Sequence, residues 1–81
     1  MFRLVDPGKH FRNVELCGTF DEWKKRHRLR YDGYTSQWFI ALHLKNGVYQ
    51  YKYIVDGHWR VNDKEGIKKD SAGNVNNIIY L

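Results

Sequence analysis

The 81 residues contain a single cysteine, Cys17, so no internal disulfide can staple the fold. A buried, inert thiol at a strand end is the expected state for it, given Leu16 and Gly18 on either side. The want of disulfides fits a reducing, intracellular compartment. Proline is almost missing too: Pro7 is the only one, in the turn tripeptide Asp6-Pro7-Gly8. No apolar run approaches the roughly 18 residues of a membrane span, so no membrane partner is expected. A signal-peptide core is also absent, because Arg3, Asp6 and Lys9 interrupt the start. Apolar residues at helical spacing are scarce, which argues against an α-helical domain.

Catalytic and metal-binding patterns are equally sparse. Asp56, Asp63, Glu65 and Asp70 do not stand out as a spaced carboxylate pair. His10, His27, His43 and His58 lack ligand spacing. Ser36 and Ser71 are not in a nucleophile elbow, and no glycine loop cradles phosphate. The expectation is therefore a non-enzyme with no catalytic residue, no metal and no cofactor.

What remains is rich in aromatics and short alternating segments. Three Trp, six Tyr and four Phe exceed what one small core needs, so some rings should be exposed and bind something. Residues 2–5, 13–17, 28–31, 38–44, 48–55, 59–61 and 77–81 read as strands. In 48–55, Tyr49, Tyr51, Tyr53 and Val55 share one face, and Gln50, Lys52 and Ile54 the other. Trp38 shares a face with Ile40, Leu42 and Leu44 and is assigned to the core. Asn46-Gly47 signals a hairpin between 38–44 and 48–55, Asp56-Gly57 marks another turn, and 62–74 reads as polar loop. Short strands at this spacing indicate an all-β, antiparallel β-sandwich.

Two loops end in tryptophans, Trp23 and Trp59. An indole at a strand end can stack on the apolar face of a pyranose. Trp59 is such a platform or a cap on the core edge. Trp23 is a second platform or a packing residue. Lys52 offers three donors to hydroxyls or stands solvated, and Asn74, Asn76 and Asn77 offer paired donors and acceptors or local turn bonds. Of these three, one is expected to bind ligand and at least one to be structural.

The resemblance to a known family rests on three motifs in order. Gly18-Thr19-Phe20-Asp21-Glu22-Trp23, Tyr51-Lys52-Tyr53-Ile54-Val55-Asp56-Gly57-His58-Trp59 and Gly73-Asn74-Val75-Asn76-Asn77-Ile78-Ile79 resemble those of carbohydrate-binding module family 48. That family includes kinase β-subunit and plant phosphatase modules. The resemblance implies an immunoglobulin-like β-sandwich that binds α-1,4-linked glucans such as glycogen, starch or maltooligosaccharides. It implies Trp23, Trp59, Lys52 and Asn76 as carbohydrate-binding residues, with Asn74 where a kinase-type module has threonine. Ala72 stands where that type has a leucine beside the sugar, and Asp63 and Gly66 replace two prolines, which implies a looser loop. One module over residues 1–81 is expected, part of a larger protein of the cytoplasm or plastid. It would place an attached or associated kinase, phosphatase or glucan-active enzyme on its polymer.

Two rival readings remain. A net charge of +5 gathers partly at Lys24, Lys25, Arg26, Arg28 and Arg30 beside His27. This cluster is a solvated loop or a site for an anion: nucleic acid, phosphorylated glucan or an acidic protein face. The chain could accordingly be a protein-interaction module, or bind single-stranded nucleic acid through its aromatics. Against nucleic acid, the basic cluster is not interleaved with the aromatic strand face.

Overall fold

Period-two alternation organises the chain into two antiparallel sheets that face each other across one core. The computed structural model describes residues 1–81. Its strands are β1 Phe2–Val5, β2 Val14–Gly18, β3 His27–Arg28, β4 Arg30–Asp32, β5 Gln37–Ile40, β6 Val48–Val55, β7 His58–Arg60, β8 Ile67–Lys69 and β9 Val75–Tyr80. The smaller sheet has the order β1-β5-β4. The larger runs β3-β2-β6-β9-β8, with β7 also paired to β6. The one helical segment is a 3-10 turn at Thr19–Asp21. No helix is long and apolar enough to cross a membrane.

Phe2, Leu4 and Trp38 of the smaller sheet meet Val14, Leu16, Tyr51, Tyr53 and Val55 of the larger, with Leu29 beside them. The alternation in β6 therefore reads as expected: its tyrosine face points inward, leaving Gln50 and Lys52 on the outer face. Each buried ring contributes roughly 2–3 kcal/mol of apolar burial. The polar end of Tyr53 is satisfied, since its hydroxyl lies 2.6 Å from Glu65 Oε1 and 3.0 Å from the Arg3 carbonyl. Burial, followed by the Glu65 carboxylate, pushes the pKa values of Tyr51 and Tyr53 well up, so both hydroxyls stay protonated.

The Asp6-Pro7-Gly8 turn fastens the smaller sheet. Asp6 is buried, and its carboxylate accepts from His10 N at 2.9 Å, Phe11 N at 2.9 Å and Trp38 Nε1 at 3.1 Å. Burial raises its pKa, but the hydrogen bonds from Phe11, Trp38 and His10 outweigh that and hold it below 3.8. Its carbonyl accepts from the Tyr31 hydroxyl at 2.8 Å, tying β1 to β4.

Several boundaries differ from expectation for physical reasons. The segment 28–31 is two strands in two sheets, because the chain crosses over at buried Leu29, whose N–H donates to the Val14 carbonyl at 2.9 Å. The 38–44 strand stops at Ile40. Leu42 and Leu44 still pack on the core, but the backbone there is passing from one sheet to the other. Asn46-Gly47 consequently joins strands that do not pair with each other. Gly47 instead exchanges two backbone hydrogen bonds with Leu81, at 2.8 and 3.0 Å. The polar segment 62–74 contains β8, and the last strand begins at Val75 rather than Asn77.

Candidate functional site

The outer face of the larger sheet assembles the two loop tryptophans. β6 and β7 are joined by Asp56-Gly57, both at positive φ (50° and 83°), which suits a two-residue hairpin with right-handed strand twist. Asp56 Oδ1 accepts from Arg12 N at 2.9 Å and Asn13 N at 2.8 Å, so the turn is anchored to the chain entering β2. That geometry sets Trp59 directly opposite Ile54. Ile54 faces away from the main core yet is fully buried. Trp59, 48% exposed, lies across from it at cross-strand contact range and rests on an apolar footing.

Trp23 arrives from the other side. Gly18 must be glycine: a Cβ there would lie 2.3 Å from the Phe20 ring and 2.8 Å from the Gln50 carbonyl oxygen. This close approach lets the 3-10 turn sit on β6, where Thr19 Oγ1 accepts from Gln50 N at 3.1 Å. Phe20 packs against the core, and Asp21 Oδ2 lies 2.8 Å from His27 Nε2. Glu22 and Trp23 then both take left-handed backbone, at φ 60° and 61°, costing on the order of 1 kcal/mol each. The Trp23 N–H closes the loop onto the Gly18 carbonyl at 2.8 Å. The indoles of Trp23 and Trp59 end 6.4 Å apart, centroid to centroid, tilted by 50°.

Polar groups lie beside this pair. Lys52 is half-buried next to Ile54 on the same strand, opposite Cys17, and forms no ion pair. Asn76 Nδ2 donates to Gln50 Oε1 at 3.0 Å, leaving Asn76 Oδ1 and Gln50 Nε2 free for other hydrogen bonds. The structure thus brings Trp23 and Trp59 together, and sets Lys52 and Asn76 on the same sheet face.

Asn74 is placed differently. It lies in the β8–β9 loop, where Asp70 Oδ1 accepts from Ala72 N and Asn74 N, both at 2.9 Å, and Asp70 Oδ2 from Asn74 Nδ2 at 3.1 Å. These bonds, those from Asn74 first, hold the Asp70 carboxyl below its usual 3.8. The Asn74 amide nitrogen is therefore a loop fastener, with Oδ1 left over. Register puts this loop at the same end of the sheet as β7. Asn77 is structural: buried, it accepts from Asn62 N at 2.7 Å and donates to the carbonyls of Asn62 and Gly66.

Two neighbours were not singled out for the site from sequence. Gln50 pairs with Asn76, a signal available in principle from its position on the Lys52 face. Arg26 holds its guanidinium 5.7 Å from the Trp59 ring centre, within cation–π range. Its loop is steadied by the Cys17 thiol donating to the Lys25 carbonyl at 3.1 Å. Cys17 is buried and its pKa raised by that burial, as expected of an inert thiol. The concave spaces of the molecule lie elsewhere, on the smaller sheet around Phe39 and Asp32. The tryptophan surface is open, which suits a chain ligand more than an enclosed small molecule. No group of His, Cys, Asp and Glu is arranged to hold a metal ion.

The family model for the glycogen recognition site of AMP-activated protein kinase matches residues 7–81. SNF1-related protein kinase regulatory subunit beta-2 of Arabidopsis thaliana is 39% identical over 86% of the chain and 24% of its own length. Phosphoglucan phosphatase DSP4, amyloplastic, of Castanea sativa is 36% identical over 84% of the chain and 18% of its own length. Human 5'-AMP-activated protein kinase subunit beta-1 is 39% identical over the whole chain and 28% of its own length. The chain thus spans less than a third of each of these three relatives. With its motifs, its two-sheet fold and this match over nearly its full length, the chain belongs to the glycogen-recognition family of carbohydrate-binding modules.

Proposed function

We propose that the chain is a non-catalytic module that binds α-1,4-linked glucans and serves as one domain of a larger protein. In that setting it holds an attached or associated kinase, phosphatase or glucan-active enzyme on glycogen or starch. The observation that carries this reading is the tryptophan pair, held 6.4 Å apart, with Trp59 set across from buried Ile54. Two indoles at an angle offer faces to successive rings of a curved glucan, while Lys52, Gln50 and Asn76 reach hydroxyls. Asn74 adds its remaining carbonyl oxygen from the loop. The family membership and the names of the relatives, which include kinase subunits and a phosphoglucan phosphatase, support the same reading. A free, buried Cys17 fits work in a reducing compartment, the cytoplasm or a plastid.

An open face gives weak single-site binding, and repeated sites on a polymer raise retention by avidity. Neutral sugar releases no counterions, so affinity for maltoheptaose should barely change with ionic strength. A single-stranded oligonucleotide bound through several cations should instead weaken with a log–log slope of about −0.7 per phosphate. Titration of both ligands at two ionic strengths, followed by tryptophan fluorescence, separates the readings. Tight oligonucleotide binding with no response to maltoheptaose would reverse the assignment.

Lys52→Ala should weaken glucan binding by about 0.5–1.5 kcal/mol, less than loss of a tryptophan, with little change in melting temperature. Lys52 has no ion pair to lose. A large fall in melting temperature would make it a structural residue instead.

A further inference from the structure

The tryptophan face carries more positive charge than a neutral sugar can use. Cross-strand register sets Arg28 opposite Glu15, Lys52 opposite Cys17 and Lys68 opposite Asn76. All three cations lie on the outer face of the larger sheet with the Gln50–Asn76 pair. Arg26 joins them against Trp59. Glu15 is the one carboxylate in these rows, and it is 3.9 Å from Arg26, at the outer limit of an ion pair. Neither Lys52 nor Lys68 forms an ion pair. Gathering like charges opposes folding, and an uncharged ligand offers no offsetting attraction.

We propose that this face takes a glucan bearing phosphate monoesters, with a phosphate subsite beside Trp59 formed by Arg26, Lys52 and Lys68. The proposal rests on the glucan reading above and specifies its ligand. A phosphate monoester brings a charge of about −1.5 to −2 and three strong acceptor oxygens. Arg26 is the principal contact. Its guanidinium already lies over the Trp59 ring, 5.7 Å from the centre, so a sugar on that indole brings a substituent into its reach. Its planar fork can bind two phosphate oxygens at once. Lys52 on β6 and Lys68 on β8, with β9 between them, act as point charges. The cations share one sheet face, with Arg26 against Trp59, instead of tracking along a groove, which favours a single ester over a continuous phosphodiester backbone.

The test compares maltoheptaose with maltoheptaose carrying one 6-phosphate, by titration calorimetry at low and at about tenfold higher ionic strength. The phosphorylated chain should bind about five- to tenfold more tightly at low salt, and that advantage should shrink at high salt as exposed charges are screened. The ratio of the two affinities should fall close to one in Arg26→Gln and drop in Lys68→Gln, with circular dichroism checking the fold of both. Equal affinities in the parent protein overturn the phosphate subsite and leave glucan binding standing. No binding of either sugar removes the glucan reading itself. An unchanged ratio in both variants overturns the residue assignment. Inorganic phosphate and an oligonucleotide serve as further arms. If either competes as strongly as the phosphorylated glucan, the cations form a general anion site and the proposal fails.

Discussion

Asp6→Ala should lower the melting temperature by about 12 °C or more. The substitution strands three donors, His10 N, Phe11 N and Trp38 Nε1, that now share one buried carboxylate. The two loop amides can turn toward water, but the indole of buried Trp38 cannot. An orphaned buried donor costs about 1–3 kcal/mol, and the total here is about 3 kcal/mol. For a domain of this size the whole stability is about 4–12 kcal/mol, so the loss is a large share. Each kcal/mol corresponds to roughly 4–8 °C.

The same carboxylate should shape the acid limb. Its folded pKa lies below 3.8, so the stability it contributes is fully present above its unfolded pKa. That stability is lost as pH falls through the lowered folded value. Asp6→Asn, which cannot titrate, should flatten the decline of stability below about pH 5. The flattening should be partial, because Asp70 is also held below its usual value. Urea melts of parent and variant across the acid range measure both effects. Parallel curves would show that Asp6 is not the group that titrates.

Much of this architecture is legible in the sequence because it is local. The alternation of Tyr51, Tyr53 and Val55 against Gln50 and Lys52 names the buried face of β6 without reference to any partner. Asp56-Gly57 names its turn in the same way. Long-range pairing is what local patterns leave open. Asn46-Gly47 signals a hairpin but forms only a bend, because nothing nearby says that β5 pairs with β1 and β4 while β6 joins β2. β8 escapes notice because Ile67 is its only apolar residue; its place comes from pairing with β9 and from Asn77 bonding Asn62 and Gly66. The same division holds at the site. Motif and turn chemistry bring out Trp23 and Trp59 residue by residue. Arg26 looks like any member of a basic loop until tertiary packing sets it against Trp59.

Trp59→Ala should cut affinity for maltoheptaose tenfold or more while the domain remains folded. By analogy with aromatic stacking on bases, loss of one platform corresponds to about 1–3 kcal/mol. The fold should survive because Trp59 is half-exposed, outside the main core, on the short strand β7. Some stability must go, since Ile54 loses its cover, and about 1 kcal/mol is reasonable for partly uncovering one aliphatic side chain. The two losses have different readouts. Calorimetric titration reports the sugar, and thermal melting reports the uncovered Ile54. Trp23→Ala should also weaken binding, because its ring is the other half of the pair. The two single losses should not add, since either variant already breaks the pair of ring faces that one glucan spans. If Trp59→Ala binds maltoheptaose like the parent protein, the sugar lies elsewhere, and the surface around Trp59 must be given another role.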